Sequence, residues 1–198
     1  MLEGTNLSYR HSRTSPLLFS QLNIEIRAGE RVGLAGPSGA GKSTLARILA
    51  GYLAPQEGSV QLDGKPLPNR GANPVQMLFQ HPELAVNPRW KCRDIIGEAD
   101  TMTGVIQQMA VKKEWLARYP HELSGGELQR ICLARAFGKT TRFLICDEMT
   151  SMLDALTQAM IWQAVLDISE RHNLGLLVIS HDQILLKKLC HRTIFWES

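Results

Sequence analysis

The chain has 198 residues, 44% of them hydrophobic, with 22 Lys and Arg against 19 Asp and Glu, for a formal net charge of +3. That length suffices for one domain with a substantial core, and so small a charge excess does not point to nucleic acid or an anionic membrane as partner. Apolar runs such as Leu176-Leu177-Val178-Ile179 are far below the roughly 20 residues that span a bilayer, and no charged-then-apolar leader opens the chain, so the expectation is a soluble, intracellular protein. Cys92, Cys132, Cys146 and Cys190 are widely spread with no C-x-x-C pair. They read as buried thiols rather than a zinc site.

Residues 1–30 read as antiparallel strands, because Leu22, Ile24 and Ile26 alternate with Asn23 and Glu25. Tyr9 and His11 precede that hairpin. Either could cover a purine face by stacking; otherwise Tyr9 is a half-buried strand residue and His11 faces solvent. Ala28-Gly29-Glu30 turns into a short apolar strand, Arg31-Val32-Gly33-Leu34-Ala35. The next stretch, Gly36-Pro37-Ser38-Gly39-Ala40-Gly41-Lys42-Ser43-Thr44, fits G-x-x-x-x-G-K-[ST], the phosphate-binding loop. Leu45, Ile48, Leu49 and Tyr52-Leu53 then recur at helical spacing, and Gly51 can end that helix. Strand, glycine loop and helix are the context this motif requires. The glycines let successive N–H groups converge on one phosphate chain, and the helix N-terminus adds partial positive charge. Lys42 is placed to reach the β- and γ-phosphates, and the Ser43 hydroxyl to bind Mg²⁺.

Gly51 to Gly71 is rich in Gly and Pro and holds one short strand, Ser59-Val60-Gln61-Leu62, before the turn signal Asp63-Gly64. Val75 to Phe79 reads as a buried strand ending at Gln80. Pro82 and Pro88 exclude regular helix between them. A mostly helical section is expected up to about Tyr119, with Trp90, Ile95, Ile96, Val105, Ile106, Met109 and Trp115 supplying its apolar faces and Pro120 ending it. Leu123-Ser124-Gly125-Gly126-Glu127 then opens a helix, with Glu127 three residues after Ser124 in a capping-box arrangement. A serine and two glycines at a helix start form a second anion site. Arg142 to Cys146 is the next buried strand and ends in Asp147-Glu148. The first carboxylate is placed to hold Mg²⁺ through water. The second can polarise an attacking water, with the metal and Lys42 stabilising charge on the γ-phosphate. Asp154 caps a long helix through about Arg171, with Leu156, Met160, Val165 and Ile168 as its core stripe. Leu176 to Ile179 reads as the last parallel strand, ending at Ser180-His181, and a final helix from Ile184 to Cys190 leads into Thr193-Ile194-Phe195-Trp196. Strands ending at Ala35, Gln80, Cys146 and Ile179 thus deliver polar groups to one edge, where open parallel α/β sheets hold their ligands.

Leu123-Ser124-Gly125-Gly126-Glu127-Leu128-Gln129-Arg130 resembles the LSGGQ signature of the nucleotide-binding subunits of ABC transporters, with Glu127 in place of Gln. The resemblance covers nearly the whole chain. It implies an α/β P-loop NTPase fold with a mainly parallel central sheet, an N-terminal antiparallel β part and an inserted helical subdomain at about 82–135, all within one ABC ATPase domain over residues 1–198. It implies a head-to-tail dimer sandwiching two ATP molecules, in which Ser124, Gly125, Gly126 and Glu127 of one subunit close on the γ-phosphate held by the other. Gln80 looks like the Q-loop glutamine, which contacts Mg²⁺ and the transport subunit. Ser151-Met152-Leu153-Asp154 looks like the D-loop, and His181 like the switch histidine that hydrogen-bonds the γ-phosphate. The implied catalytic set is therefore Glu148, His181, Lys42 and Gln80, and the implied Mg²⁺ set is Ser43, Gln80 and Asp147. By register from Leu7, His11 falls nearer than Tyr9 to the family's base-stacking aromatic. Met149 stands where proline is usual, the helical section is short, and the chain stops just after Phe195-Trp196, short of the C-terminal extension of many importer ATPases.

Glu83 to Arg89, Tyr119 to Ser124 and Thr150 to Asp154 are similar to the peptide/nickel importer branch, particularly its nickel and metallophore importers. That branch implies an ATP-hydrolysing subunit that drives uptake of nickel, metal chelates or short peptides. It implies two membrane permease subunits, a second ATPase subunit (identical or paralogous) and, indirectly, an extracytoplasmic substrate-binding protein. It places the subunit peripherally on the cytoplasmic face of the plasma (inner) membrane. The stretch from Gln80 through Pro88 to Trp90 is expected to be a surface loop in which Leu84, Val86 and Trp90 present apolar area to a short permease helix; the alternative is that Trp90 anchors the helical section internally. An ABC-type ATPase acting on DNA or ribosomes fits less well. Only about 80 residues separate Lys42 from Ser124, without the sustained heptads of a coiled-coil insertion, and the chain has one ATPase domain rather than a tandem pair. A binding module without turnover is disfavoured because Lys42, Asp147, Glu148 and His181 are all present.

Overall fold

The computed structural model describes residues 1–12 and 14–196. In chain order the first half holds β1 (Leu2–Tyr9), β2 (Phe19–Ile26), β3 (Arg31–Ala35), α1 (Lys42–Leu49), β4 (Glu57–Leu62), β5 (Lys65–Pro66) and β6 (Val75–Leu78). The second half holds α2 (Cys92–Gly97), α3 (Val105–Gln108), α4 (Gly125–Ala136), β7 (Phe143–Asp147), α5 (Ala155–Arg171), β8 (Gly175–Ile179), α6 (Gln183–Leu189) and β9 (Arg192–Phe195). Short 3₁₀ turns at Pro82–Leu84, Lys113–Ala117 and Pro120–Glu122 join them. No helix among the described residues is long and apolar enough to cross a membrane.

The strands form two sheets. An antiparallel sheet has the order β2-β1-β4-β5, and a five-stranded sheet has the order β6-β7-β8-β3-β9. All four pairings in the second sheet are parallel. Parallel strands buried on both faces read as continuous apolar runs, as β3, β7 and β8 do. Their period-two alternation sends Val32, Leu34, Phe143, Ile145, Leu177 and Ile179 to a core shared with α1 and the antiparallel sheet. It sends Leu144, Cys146, Leu176 and Val178 to a second core with α4, α5 and α6. Burial pushes the thiols of Cys92, Cys132, Cys146 and Cys190 up, Cys132 to about 12 and Cys190 to about 11. The buried-thiol reading therefore holds, with Cys190 only partly covered.

Several expectations need correction. The section after β6 is not mostly helical: α2 and α3 are short, because Gly97 ends one and Gly104, in the left-handed region, starts the other. Trp90 and Ile106 are exposed rather than part of its apolar face. Pro120 does not end a helix but starts a 3₁₀ turn, where its missing N–H costs nothing. Leu62 is followed by a second short strand, β5, through the Asp63-Gly64 turn. The last parallel strand is β9, which pairs with β3 on the side away from β8; it is too short and too exposed to show an apolar run.

The core stripe of α5 is also shifted. Ile161, Trp162, Val165 and Ile168 are buried, whereas Leu156 is 72% and Met160 51% exposed. At about 100° per residue, Leu156 and Met160 lie on the face of α5 opposite Val165, so the four residues of the expected stripe cannot share one face, and the buried face is the one carrying Ile161, Val165 and Ile168.

Candidate ATP site

The parallel register aligns the strand ends that matter. Leu34 and Asp147 both pair with Ile179, and Leu78 pairs with Cys146. The segments that follow, from Gly36, Phe79, Glu148 and Ser180, therefore leave the sheet along one edge. The phosphate loop connects β3 to α1. Gly41 caps α1 at φ +98°, and no side chain caps the first turn, so its N–H groups are free for an anion. A Cβ at Gly41 would meet Leu18 Cγ at 2.7 Å, whereas Gly39, at φ +79°, has open space around it. Lys42 is buried, and its Nζ donates to the Gly36 carbonyl at 2.8 Å and the Pro37 carbonyl at 2.7 Å. The ammonium is thereby held under the loop that the phosphates would cross.

Ser43, Gln80 and Asp147 line one cavity of about 300 Å³, together with Arg47, Tyr52 and Phe79. Burial pushes the Asp147 carboxyl above its ordinary range, the neighbouring Glu148 charge adds to this, and a hydrogen bond with Ser43 opposes it. A buried carboxylate beside a hydroxyl and an amide is an all-oxygen donor set, which suits a hard divalent cation that keeps some of its water. The cation would also compensate the charge that burial disfavours. The residues thus fit Mg²⁺.

Glu148 and His181 meet at an adjoining site. His181 Nδ1 lies 3.3 Å from Glu148 Oε1, and the two line a cavity of about 180 Å³ with Ser180 and Asp182. Glu148 has φ +48°, a backbone conformation that residues with a Cβ hold only when their surroundings impose it. Gln80 Nε2 donates to Ser151 Oγ at 3.2 Å, which ties the end of β6 to the segment after Glu148.

The signature residues stand apart. Ser124 caps α4 and accepts from the Glu127 N–H at 3.4 Å, while Glu127 Oε2 accepts from the Ser124 N–H at 2.9 Å. The expected capping box is thus formed. Ser124, Gly125, Gly126 and Glu127 line neither of the two cavities above. Asp154 caps α5, accepting from the Thr157 N–H at 2.9 Å. At the N-terminal end, the aromatic pair matches the reading of a half-buried strand tyrosine and a solvent-facing histidine. Tyr9 is half-buried, its ring stacked on Phe19 at 6.3 Å, while His11 is exposed with its ring edge-on to Tyr9 at 5.6 Å.

The family described as ABC transporter matches residues 19–151. The nickel import ATP-binding protein NikE of Rhodospirillum rubrum is 35% identical over 199 residues, covering 89% of this chain and 71% of that one. The chain belongs to the ABC transporter ATP-binding family. A putative peptide import ATP-binding protein of Brucella abortus is 34% identical, covering 87% of this chain and 58% of its own length. This ABC ATPase domain therefore spans about three fifths to seven tenths of such relatives. Among solved structures, the dimeric MJ0796, a bacterial ABC transporter cassette, superposes with a TM-score of 0.82 at 23% identity, over 99% of this chain and 94% of that one. A post-hydrolysis dimer of the same cassette bound to ADP and Pi gives the same score. The α/β P-loop NTPase fold is shared with both.

Residues 36–44, Gln80, the signature and Asp147-Glu148 lie inside the matched span, while Asp154 and His181 lie outside it. Sequence reasoning missed Arg47 and Tyr52 as cavity-lining residues. Arg47 was recoverable, since it stands one helical turn after Ser43 on the same face of α1; Tyr52 reached the cavity only through the chain reversal after α1. Tyr52 packs edge-on to Phe79 at 5.8 Å.

Proposed function

We propose that this ABC ATPase domain binds and hydrolyses ATP with Mg²⁺ as a subunit of an importer for nickel, metal chelates or short peptides. The observation that carries the reading is the convergence of Ser43, Gln80 and Asp147 on one cavity, beside the Glu148–His181 pair, at one edge of the parallel sheet. Residues 36–44 hold the phosphates through backbone N–H groups, and Lys42 neutralises the γ-phosphate. Ser43, Asp147 and Gln80 hold Mg²⁺, which when bound supplies positive charge against the phosphate oxygens. Glu148 accepts a hydrogen bond from the attacking water and aligns it, and His181 contacts the γ-phosphate. His11 is free to stack on adenine, since Tyr9 already uses a ring face on Phe19.

The signature of a second ATPase subunit, identical or paralogous, completes the site by reaching across the dimer with Ser124 to Glu127. Their separation from the two cavities within one chain supports that arrangement, as do the dimeric cassettes with this fold. Asp154 belongs to the D-loop at the same interface. Residues 82–135 act as the helical subdomain, which carries the signature and the permease-facing turn. The complex includes two permeases, and an extracytoplasmic binding protein delivers cargo to them. The subunit works peripherally at the cytoplasmic face of the inner membrane. The nickel and peptide relatives support the cargo class.

Glu148→Gln tests the catalytic part. The variant is expected to keep Mg-ATP binding and to lose hydrolysis by on the order of 100-fold or more, accumulating an ATP-bound dimer. Hydrolysis at the parent rate would remove Glu148 from the mechanism.

A further inference from the structure

Glu148 is fixed from both sides. Its own N–H donates to the Ile179 carbonyl at 3.1 Å, which secures it to the sheet. Two residues on, Thr150 is only 3% exposed. Its Oγ1 accepts from two side chains of α5, Gln158 Nε2 at 2.9 Å and Trp162 Nε1 at 3.1 Å. Gln158 and Trp162 are one helical turn apart, so both reach the same point, and Trp162 is itself packed in the core. All three line the cavity that holds Glu148 and His181. The residue between them, Met149, is buried, and Ser151 is held by Gln80.

We propose that Thr150, gripped by Gln158 and Trp162, is the positioning residue for the Glu148 carboxylate. This rests on the role assigned to Glu148 above. The left-handed backbone at Glu148 persists only while its neighbours constrain it. A buried hydroxyl shared by two donors supplies that constraint, because moving it leaves the buried Trp162 indole N–H without a partner. The anchor is neutral, so it sets the place of the carboxylate without adding charge beside it. Through Trp162 the position of the water-aligning group becomes a property of α5, the helix that begins at Asp154.

The test compares Thr150→Val, which replaces the hydroxyl by a methyl of similar size, with Thr150→Ser, which keeps the hydroxyl. The purified chain is assayed with Mg-ATP for kcat, KM, ATP affinity and thermal unfolding. Thr150→Val should lower kcat by on the order of 10- to 100-fold with ATP affinity and KM close to the parent, and Thr150→Ser should restore the rate. Gln158→Leu, on the half-exposed side of the network, should give a smaller loss and remains informative if Thr150→Val does not fold. In the Glu148→Gln background Thr150→Val should cause no further loss, because the group being positioned is already gone. A lower melting temperature with parent kcat in Thr150→Val, or additive losses in the double variant, would overturn the proposal. If Glu148→Gln itself hydrolyses ATP normally, the failure belongs to the assignment of Glu148. If Glu148→Gln is inactive while Thr150→Val and Gln158→Leu are both at the parent rate, only the positioning role falls.

Discussion

Leu84 and Val86 separate a docking surface from a structural anchor. Both were expected to present apolar area, yet Leu84 is 81% exposed and Val86 only 9%. The difference arises because α4 grips the turn between them. Arg135 donates to the Ala85 carbonyl at 2.9 Å, and the Cys132 thiol to the Pro82 carbonyl at 3.8 Å. This holds Val86 inward and leaves Leu84 on the outer side. Leu84→Asp should therefore change folding stability by no more than about 0.5 kcal/mol. If Leu84 is buried in a permease groove, the same change forfeits roughly 1.5–3 kcal/mol of apolar burial, or roughly 10- to 100-fold in affinity. Desolvation of the carboxylate adds to that loss. Val86→Asp instead places a charge in the core, at several kcal/mol out of a typical total of about 5–15. Denaturant unfolding, ATP affinity and co-purification with the cognate permeases measure the two effects separately. The expected outcome is a stably folded Leu84→Asp that no longer retains permease, and a Val86→Asp that unfolds at much lower denaturant. Full permease association in Leu84→Asp would move the docking surface elsewhere, and a normally stable Val86→Asp would refute the burial argument.

Lys42→Ala removes the ammonium held by the Gly36 and Pro37 carbonyls; ATP affinity should weaken strongly and hydrolysis fall by on the order of 100-fold or more, so unchanged turnover would displace Lys42 from the site. Ser124→Arg should bind ATP normally in its own phosphate loop but fail to dimerise with ATP, since a bulky cation blocks closure; equal ATP-driven dimerisation of parent and variant, read by light scattering, would count against a shared site. Asp147 gives a pH-dependent prediction. Because burial raises its pKa in the folded chain, its contribution to stability is fully present below the ordinary carboxyl value and is lost as pH rises through the raised one. Without nucleotide, Asp147→Asn should flatten that decline and melt a few degrees higher than the parent at neutral pH, while losing Mg²⁺-dependent ATP binding. Parallel melting curves for parent and variant across the range would show that burial does not penalise the charge.

Much of the candidate site was legible because its chemistry is local. Residues 36–44 are contiguous, and backbone N–H groups at a strand–loop–helix junction need no distant partner to be recognised. Asp147-Glu148 and His181 were legible as polar residues ending apolar strands, since a parallel sheet brings all its strand ends to one edge. The Ser124–Glu127 capping box was legible because it closes over three residues. The inward rotation of Val86 was not, because it depends on Arg135 and Cys132 reaching across from α4. Nor was the Thr150 anchor, whose donors have no motif and meet the hydroxyl only once α5 lies beside the strand.

The sequence by itself determined the periods: which residues of β3, β7 and β8 face out of the sheet, where α1, α4 and α5 begin, and which polar groups follow each strand. Such periods follow from backbone geometry, with side chains alternating along a strand and recurring every three to four residues along a helix. The tertiary structure alone decided how far each apolar face is covered. On α5, Leu156 and Met160 make one i, i+4 apolar pair and Ile161 and Val165 another on the opposite side of the helix; packing buried the second pair and left the first exposed. It also decided that Ser43, Gln80 and Asp147 share one cavity while Ser124 lies outside it, since spacing along the chain does not contain the distances set by packing one sheet against its helices.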